Sequence, residues 1–95
     1  MTDIFDLSGF QRDLLYVLSS GEKLSGQDIK GELERELDEV TRGRLYPNLD
    51  TLVEAEFVEK GQFDRRTNYY RITDRGLDSL RYRRRWENKY LQFEK

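Results

Sequence analysis

Residues 43–49 read Gly43-Arg44-Leu45-Tyr46-Pro47-Asn48-Leu49, and this stretch indicates the fold more directly than any other. With the residues that follow, it carries apolar side chains at i, i+4, i+7 and i+8, namely Leu45, Leu49, Leu52 and Val53. That spacing predicts an amphipathic helix that buries these four side chains. Thr41 precedes the segment and is a residue type that caps helix starts.

Pro47 lies on the opposite side of this predicted helix from the leucines, with Arg44 and Thr51 beside it. A proline has no N–H to donate to the carbonyl of residue 43, and its ring crowds that carbonyl. The helix is therefore expected either to begin late, near Gly43, or to bend there. Both outcomes leave backbone donors free at the N-terminal end, where a phosphate can bind.

Two capped helices are predicted upstream. Ser8 and Gln11 have the spacing of a capping box for the first helix, which Gly21 is suited to end. Ser25 is suited to cap the second. The apolar side chains of these helices, and of the segments after residue 68, recur at spacings that predict one small core, made of Phe10, Leu14, Val17, Leu18, Ile29, Leu33, Leu37, Tyr70, Ile72, Leu77 and Leu80.

A hairpin and a further helix follow. Residues 57–62 and 68–72 are predicted strands around a polar turn at 63–67, and Thr73 is suited to cap the last helix. The order helix, helix, helix, hairpin, helix predicts an α+β chain, mostly α, with a winged helix-turn-helix. It would have three helices, a two-stranded β wing and a C-terminal dimerisation helix. Such a fold sets one helix in the major groove of DNA with the hairpin beside it.

The charge of the chain is unevenly distributed. The 95 residues carry a net charge of −2 and suit one domain. Residues 1–40 hold ten acidic and four basic side chains, hence −6, whereas residues 41–95 hold nine acidic and thirteen basic, hence +4. A basic half that carries the predicted recognition elements favours a polyanionic partner. The alternative is chance clustering in a short, highly charged chain.

Several classes of protein are disfavoured. The chain has no Cys and no His, and it shows neither a Gly-rich phosphate loop nor metal-ligand spacing. An enzyme would have to rely on carboxylates alone, so we expect no enzyme activity, no metal and no cofactor. The first residues lack the pattern of a signal peptide, and no apolar run approaches membrane-spanning length, which predicts a cytoplasmic protein without a membrane partner.

The candidate DNA-binding residues form two groups. Arg and Asn can make bidentate bonds to guanine and adenine, whereas Tyr and Thr hydroxyls more often contact phosphate. On the third helix the candidates are Arg42, Arg44, Tyr46, Pro47, Asn48 and Thr51; on the wing they are Arg65, Arg66, Thr67 and Asn68. The alternatives are ordinary solvated charges and a turn that is polar for solubility. A base-stacking platform for single strands, built on Phe63, Tyr69 and Tyr70, is disfavoured because strand alternation turns Tyr70 inward.

The last helix carries a different signal. Large aromatic side chains recur at steps of four, four and three residues, at Tyr82, Trp86, Tyr90 and Phe93. An exposed stripe of this kind is an aggregation hazard in a monomer, and pairing with a second copy would bury it. We therefore predict a winged-helix DNA-binding domain over residues 1–76 and a continuous C-terminal dimerisation helix over 77–95. The interleaved basic run, Arg81 and residues 83–85, is interpreted as a solvated helix face.

Two runs resemble the PadR-like transcriptional regulators. They are Arg44-Leu45-Tyr46-Pro47, with Leu49, Leu52 and Phe57-Val58 after it, and Tyr69-Tyr70-Arg71-Ile72-Thr73, closing with Gly76. The resemblance extends roughly from Leu14 to Leu80 and is to the short subgroup of the family. It implies a winged helix-turn-helix repressor that dimerises through its C-terminal helix. It also implies that Tyr46 and Pro47 lie at the DNA-facing start of the recognition helix and that Arg65 and Arg66 lie on the wing. Arg44 departs from the pattern, since a small residue often precedes the Leu-Tyr-Pro triplet in that family.

The sequence therefore predicts a dimeric regulator that binds a palindromic operator in double-stranded DNA, with repression as the expected outcome. The alternative is a winged-helix protein-interaction module that uses its aromatic helix and does not bind DNA. Nothing in the sequence indicates whether a small-molecule effector exists.

Overall fold

The computed structural model describes residues 2–91. Within that range the chain forms four α-helices, α1 (Gly9–Val17), α2 (Gly26–Leu33), α3 (Arg42–Glu54) and α4 (Asp74–Asn88). It also forms three strands, β1 (Leu24–Ser25), β2 (Val58–Gln62) and β3 (Asn68–Ile72). Two short 3-10 helices, at Ile4–Asp6 and Leu18–Ser20, flank α1. This α+β architecture confirms the predicted winged helix-turn-helix.

Side-chain caps fix where the helices begin. The hydroxyl of Ser8 accepts the Gln11 amide and the hydroxyl of Ser25 accepts the Asp28 amide, each as part of a complete capping box. Thr41 and Thr73 cap α3 and α4 in the same way, without the return bond. All four predicted caps are confirmed. Gly21, which follows the 3-10 turn after α1, has the left-handed conformation expected of it, with φ of 84°.

The sheet has one strand more than the hairpin predicted. β2 and β3 form the antiparallel wing, and β1 pairs antiparallel with the other edge of β3, so the strand order is β1-β3-β2. The predicted two-stranded wing is thus confirmed, and β1 is an addition to the sheet that the sequence did not predict. The third strand is only Leu24–Ser25, opposite Tyr70 and Tyr69, and it satisfies backbone groups that the edge of β3 would otherwise leave open.

The core lies between the helices and the inner face of the sheet. Leu45, Leu49 and Leu52 are buried as predicted, whereas Val53 is only half-buried against the core. Tyr70 and Ile72 of β3 point inward, also as predicted, and Tyr70 is one of the largest buried side chains. The burial of one face of α3 leaves its opposite side available to a partner.

The corner between α3 and β2 is tightly built. The Phe57 amide donates to the Leu52 carbonyl and the Glu56 amide to the Val53 carbonyl, which is the bond pattern of a Schellman motif. Glu56 takes the left-handed position in it, with φ of 64°. α4 packs on this corner through Gly76, where an added Cβ would lie 2.3 Å from the Phe57 carbonyl oxygen. The corner thus sets the angle at which α4 leaves the domain.

α4 leaves the core after its first two turns. Gly76 and Leu80 are its buried residues, and the side chains beyond Leu80 are exposed or half-buried. Because α4 begins at Asp74, the predicted division between residues 76 and 77 falls inside its first turn. No helix among residues 2–91 has the length and apolar character that a bilayer crossing requires.

Candidate nucleic-acid interface

α3 is continuous from Arg42 to Glu54 with Pro47 in its second turn. Its first residue, Arg42, is next to Gly43, near which the sequence predicted a start or a bend. An added Cβ at Gly43 would meet no heavy atom within 4 Å, so this side of the helix start is open. Arg42, Arg44, Pro47 and Thr51 are exposed on α3, whereas Tyr46 and Asn48 are half-buried.

A cleft joins the start of α3 to the wing and to the start of α2. It brings together five of the predicted site residues, Arg42, Tyr46, Arg66, Thr67 and Asn68, with Tyr70 below them. The remaining wall is the first turn of α2, Ser25, Gly26 and Gln27. Sequence reasoning did not assign these three residues to the site. The feature of the sequence that could have indicated them is Gly26, a glycine directly after the N-cap Ser25.

Gly26 allows Tyr46 to occupy its position in the cleft. A Cβ at residue 26 would lie 2.3 Å from the Tyr46 hydroxyl oxygen and 2.7 Å from the nearest ring carbons. Real side chains do not approach that closely, so the Tyr46 ring packs directly on the backbone of α2. The Arg42 guanidinium lies 5.5 Å from the centre of the same ring. Tyr46 is therefore held between the two helices that border the cleft.

The other α3 candidates do not line the cleft, and two of them, Arg44 and Asn48, contact α1. The Arg44 guanidinium stacks 3.9 Å from the centre of the Phe10 ring. The Asn48 side chain bonds to Gln11 of α1 and to the Arg44 carbonyl. The Thr51 hydroxyl donates to the Pro47 carbonyl at 3.1 Å. The predicted set on α3 is thus divided between two flanks of one helix.

The carboxylate of Asp64 holds the wing turn in place through hydrogen bonds to the backbone. The Asp64 carboxylate accepts the backbone amides of Arg66 and Thr67, both at 2.9 Å, and the Phe63 amide donates to the Thr67 carbonyl. These backbone hydrogen bonds to the charged form lower the pKa of Asp64. Asp64 therefore shapes the turn that presents Arg65 and Arg66, in addition to reducing its local charge.

The basic side chains of α3 and the wing turn form no ion pairs with the acids of residues 2–91. In the part of the chain that the structure describes, no ion pair involves Arg42, Arg44, Arg65 or Arg66. Asp50, an exposed acid of α3, pairs with Lys60 of β2 at 3.8 Å. Burial, and secondarily the charge of Asp50, raise the pKa of Tyr70, which keeps its hydroxyl neutral below the cleft.

The single-strand platform finds no support. Tyr70 is buried, and the Tyr69 ring packs on Gly61 across the strand pair, where an added Cβ would lie 2.4 Å from it. Phe63 contacts Tyr69 with ring centres 5.4 Å apart. Among residues 2–91 there is also no cluster of three side chains that could hold a metal ion.

The predicted aromatic stripe is exposed, but it runs past the end of its helix: Tyr82 and Trp86 lie on α4, which ends at Asn88, and Tyr90 lies in the turn that follows. Tyr82, Trp86 and Tyr90 are 56%, 36% and 75% exposed, and the Trp86 and Tyr90 rings are in edge contact. Phe5, near the N-terminus, packs edge-on against both Tyr82 and Trp86. Phe93, the fourth predicted member, lies outside the described residues. The role of the stripe in dimerisation stays a prediction.

Known structures resemble this chain over almost its whole length. RosR of H. salinarum is 41% identical, with a TM-score of 0.89 over 98% of this chain and 84% of its own. A complex designated hsRosR-SG is 42% identical, with a TM-score of 0.90 over 97% and 82%. A PadR family transcription regulator from Clostridium difficile shares the fold at 16% identity, with a TM-score of 0.72 over 86% and 90%.

No curated protein matches the chain significantly in sequence. The family model described as the transcriptional regulator PadR-like family matches residues 14–82. That range contains α2, α3 and the wing complete, together with residues 14–17 of α1 and residues 74–82 of α4. The chain therefore belongs to the PadR-like family of DNA-binding transcriptional regulators.

Proposed function

We propose that this regulator binds double-stranded DNA sequence-specifically as a homodimer and represses transcription by occupying a palindromic operator. The outward side of α3 would enter the major groove, and the wing would lie along the adjacent backbone or minor groove. Blocking polymerase access would then suffice for repression. The location we propose for this activity is the cytoplasm.

The observation that carries the proposal is the placement on α3 and the wing of arginines that form no ion pair with any acid among residues 2–91. α3 buries Leu45, Leu49 and Leu52, so its opposite side can meet a duplex. Asp50 on α3 is paired with Lys60, and Asp64 on the wing turn is bonded to backbone amides. The positive side chains are thus available to phosphates and base edges, although the chain as a whole is acidic.

A dimer supplies the second half of the proposed binding site. Two copies related by a two-fold axis present two α3 helices, which reach successive major grooves about 34 Å apart. A palindromic operator with that half-site spacing follows from the symmetry. The exposed stripe of Tyr82, Trp86 and Tyr90, on α4 and in the turn after it, is the surface that a second copy would cover.

The proposal is tested by selecting preferred duplexes from a random pool and then measuring affinity by fluorescence anisotropy. We expect an inverted repeat to be enriched, and its affinity to fall steeply as salt increases because counterions are released on binding. A pool that shows no enrichment, together with no binding of any duplex at low salt, would contradict the proposal.

The protein-interaction alternative is separated by a double variant, Arg44→Ala with Arg65→Ala. Under the proposed function, DNA affinity collapses while the mass of the protein in solution stays the same. Under the alternative, duplex binding is absent from the unaltered protein, and the double variant leaves capture of the partner protein unchanged.

A further inference from the structure

We propose that Gln11 of α1 is a positioning residue for DNA recognition, which sets the base preference of Asn48 without contacting DNA itself. The inference rests on the proposed function, because Asn48 must face DNA for its orientation to matter. It concerns a contact between residues 37 positions apart that joins the start of α1 to the middle of α3.

The contact is one link of a hydrogen-bonded chain with a fixed direction. The Ser8 backbone N–H donates to Gln11 Oε1 at 3.0 Å, and Gln11 Nε2 donates to Asn48 Oδ1 at 2.9 Å. Asn48 Nδ2 in turn donates to the Arg44 carbonyl oxygen at 2.7 Å. The two ends are a backbone N–H and a backbone carbonyl, whose polarity cannot reverse. Both side-chain amides between them are therefore held in one orientation.

That orientation leaves Asn48 with a defined remaining capacity. A side-chain amide offers two N–H donors and two acceptor lone pairs. With one N–H given to Arg44 and one lone pair given to Gln11, one donor and one acceptor remain on Asn48. A bidentate contact to adenine uses one donor and one acceptor of this kind. Gln11 thus fixes which atom of Asn48 is directed toward which side of the helix.

The first turn of α1 also contacts Arg44, the neighbouring candidate for a base contact. Arg44 stacks at 3.9 Å on the ring of Phe10, which is itself buried in the core. A planar guanidinium held against an aromatic face loses less freedom when it binds a base edge. Phe10 and Gln11 are adjacent residues, so the first turn of α1 orients both Arg44 and Asn48.

The variant Gln11→Glu isolates the proposed role. A glutamate preserves the capping box, since its carboxylate still accepts the Ser8 amide. It cannot donate to Asn48, so the Asn48 amide must either turn over and oppose the Arg44 carbonyl or lose its contact with α1. We expect discrimination at one operator position to fall on the order of tenfold, which is within the range that one bidentate base contact supplies. Helix content and thermal midpoint should be nearly unchanged.

Gln27→Glu is the matched control. Gln27 is exposed at the start of α2, lines the cleft, and has no bond to Asn48. The Gln27→Glu substitution introduces the same negative charge beside the interface. It should weaken binding to the preferred operator and to its single-base variants by a similar factor. A double-mutant cycle completes the test. In an Asn48→Ala background, Gln11→Glu should change the base preference no further.

The measurement is relative affinity for the preferred operator and for each single-base variant of it. If Gln11→Glu weakens all duplexes uniformly, as Gln27→Glu does, the proposal is overturned. Gln11→Met removes both polar atoms of the side-chain amide, so it must cause the same loss of base discrimination at the same operator position. If Gln11→Met keeps the base preference of the unaltered protein, the proposal is also overturned. If instead the unaltered protein prefers no duplex, the proposed function itself has failed, and the two results cannot be confused.

Discussion

At the scale of single residues, the arginines of α3 and of the wing are expected to differ in what they contribute. Arg44→Ala should cost about 1–3 kcal/mol at the preferred operator and relax preference at one position, as expected for a base contact. Arg65→Ala should weaken all duplexes alike and reduce the slope of log affinity against log salt by about 1, as expected for a phosphate contact. Titrations of both variants at several salt concentrations measure the difference.

Arg35→Ala is the control for these two variants. Arg35 is exposed just beyond α2, in the acidic half of the chain, and pairs with Glu32 at 3.7 Å. Arg35→Ala removes one positive charge, as Arg44→Ala and Arg65→Ala do. It should leave the slope of log affinity against log salt unaltered. If Arg35→Ala and Arg65→Ala lower the slope equally, the wing has no specific role.

Residue-level prediction from the sequence succeeded for most of the buried face of α3, with Val53 the exception, and failed for side-chain partners that are distant in the sequence. Helical spacing alone identified Leu45, Leu49 and Leu52 as buried, because burial follows from which face of a helix a residue occupies. It could not show that Asn48 bonds to Gln11, or that Gly26 accommodates the Tyr46 ring, because these contacts join distant parts of the chain. Spacing within one element contains no information about them.

At the scale of secondary-structure elements, the corner after α3 carries a strained residue. Glu56 has φ of 64°, a conformation that costs a residue with a Cβ about 1–2 kcal/mol relative to glycine. Glu56→Gly should therefore stabilise the protein, by about 0.5–1 kcal/mol once the greater freedom of glycine in the unfolded chain is subtracted. Urea unfolding followed by circular dichroism measures the change.

Glu54→Gly is the matched control for that corner. It removes the same charge two residues earlier, where the backbone is helical and the side chain is exposed. Glycine there should destabilise the protein by up to about 1 kcal/mol. Equal effects of the two variants would show that the charge, and not the backbone conformation, determines the result.

Two glycines in helices are expected to respond to alanine in opposite directions. At Gly76 an added Cβ would lie 2.3 Å from the Phe57 carbonyl oxygen, so Gly76→Ala should destabilise the protein by about 1–3 kcal/mol. At Gly31 in α2 an added Cβ would meet nothing within 4 Å, so Gly31→Ala should stabilise it by up to about 1 kcal/mol. Thermal unfolding of both variants tests the pair, and two changes of the same sign would contradict the packing at α4.

The elements themselves were predicted to different degrees. Helix starts were predicted well, because a cap and its amide partner lie within three residues of each other. β1 was not predicted, because it has two residues and exists through pairing with β3, more than forty positions away. The left-handed conformation of Glu56 was not predicted for a different reason. The residue in this conformation after a helix is usually a glycine, and here it is a glutamate.

At the scale of the whole molecule, the stripe on α4 is expected to hold two copies together. A Trp in an interface commonly contributes at least about 2 kcal/mol to binding. Trp86→Ala should therefore weaken dimerisation by on the order of thirtyfold or more, and light scattering at moderate concentration should then report the mass of one chain. Operator affinity should fall with it, because the two half-sites are no longer bound by one particle.

Phe63→Ala controls for the loss of an exposed aromatic ring. Phe63 is 51% exposed, more than Trp86 at 36%, but it lies at the wing and not on α4. Its removal should leave the mass in solution unchanged. A Trp86→Ala protein that keeps the mass of two copies while remaining folded would remove α4 from the interface. Loss of operator affinity without loss of mass would instead mean that Trp86 positions the DNA-binding face through its edge contact with Phe5.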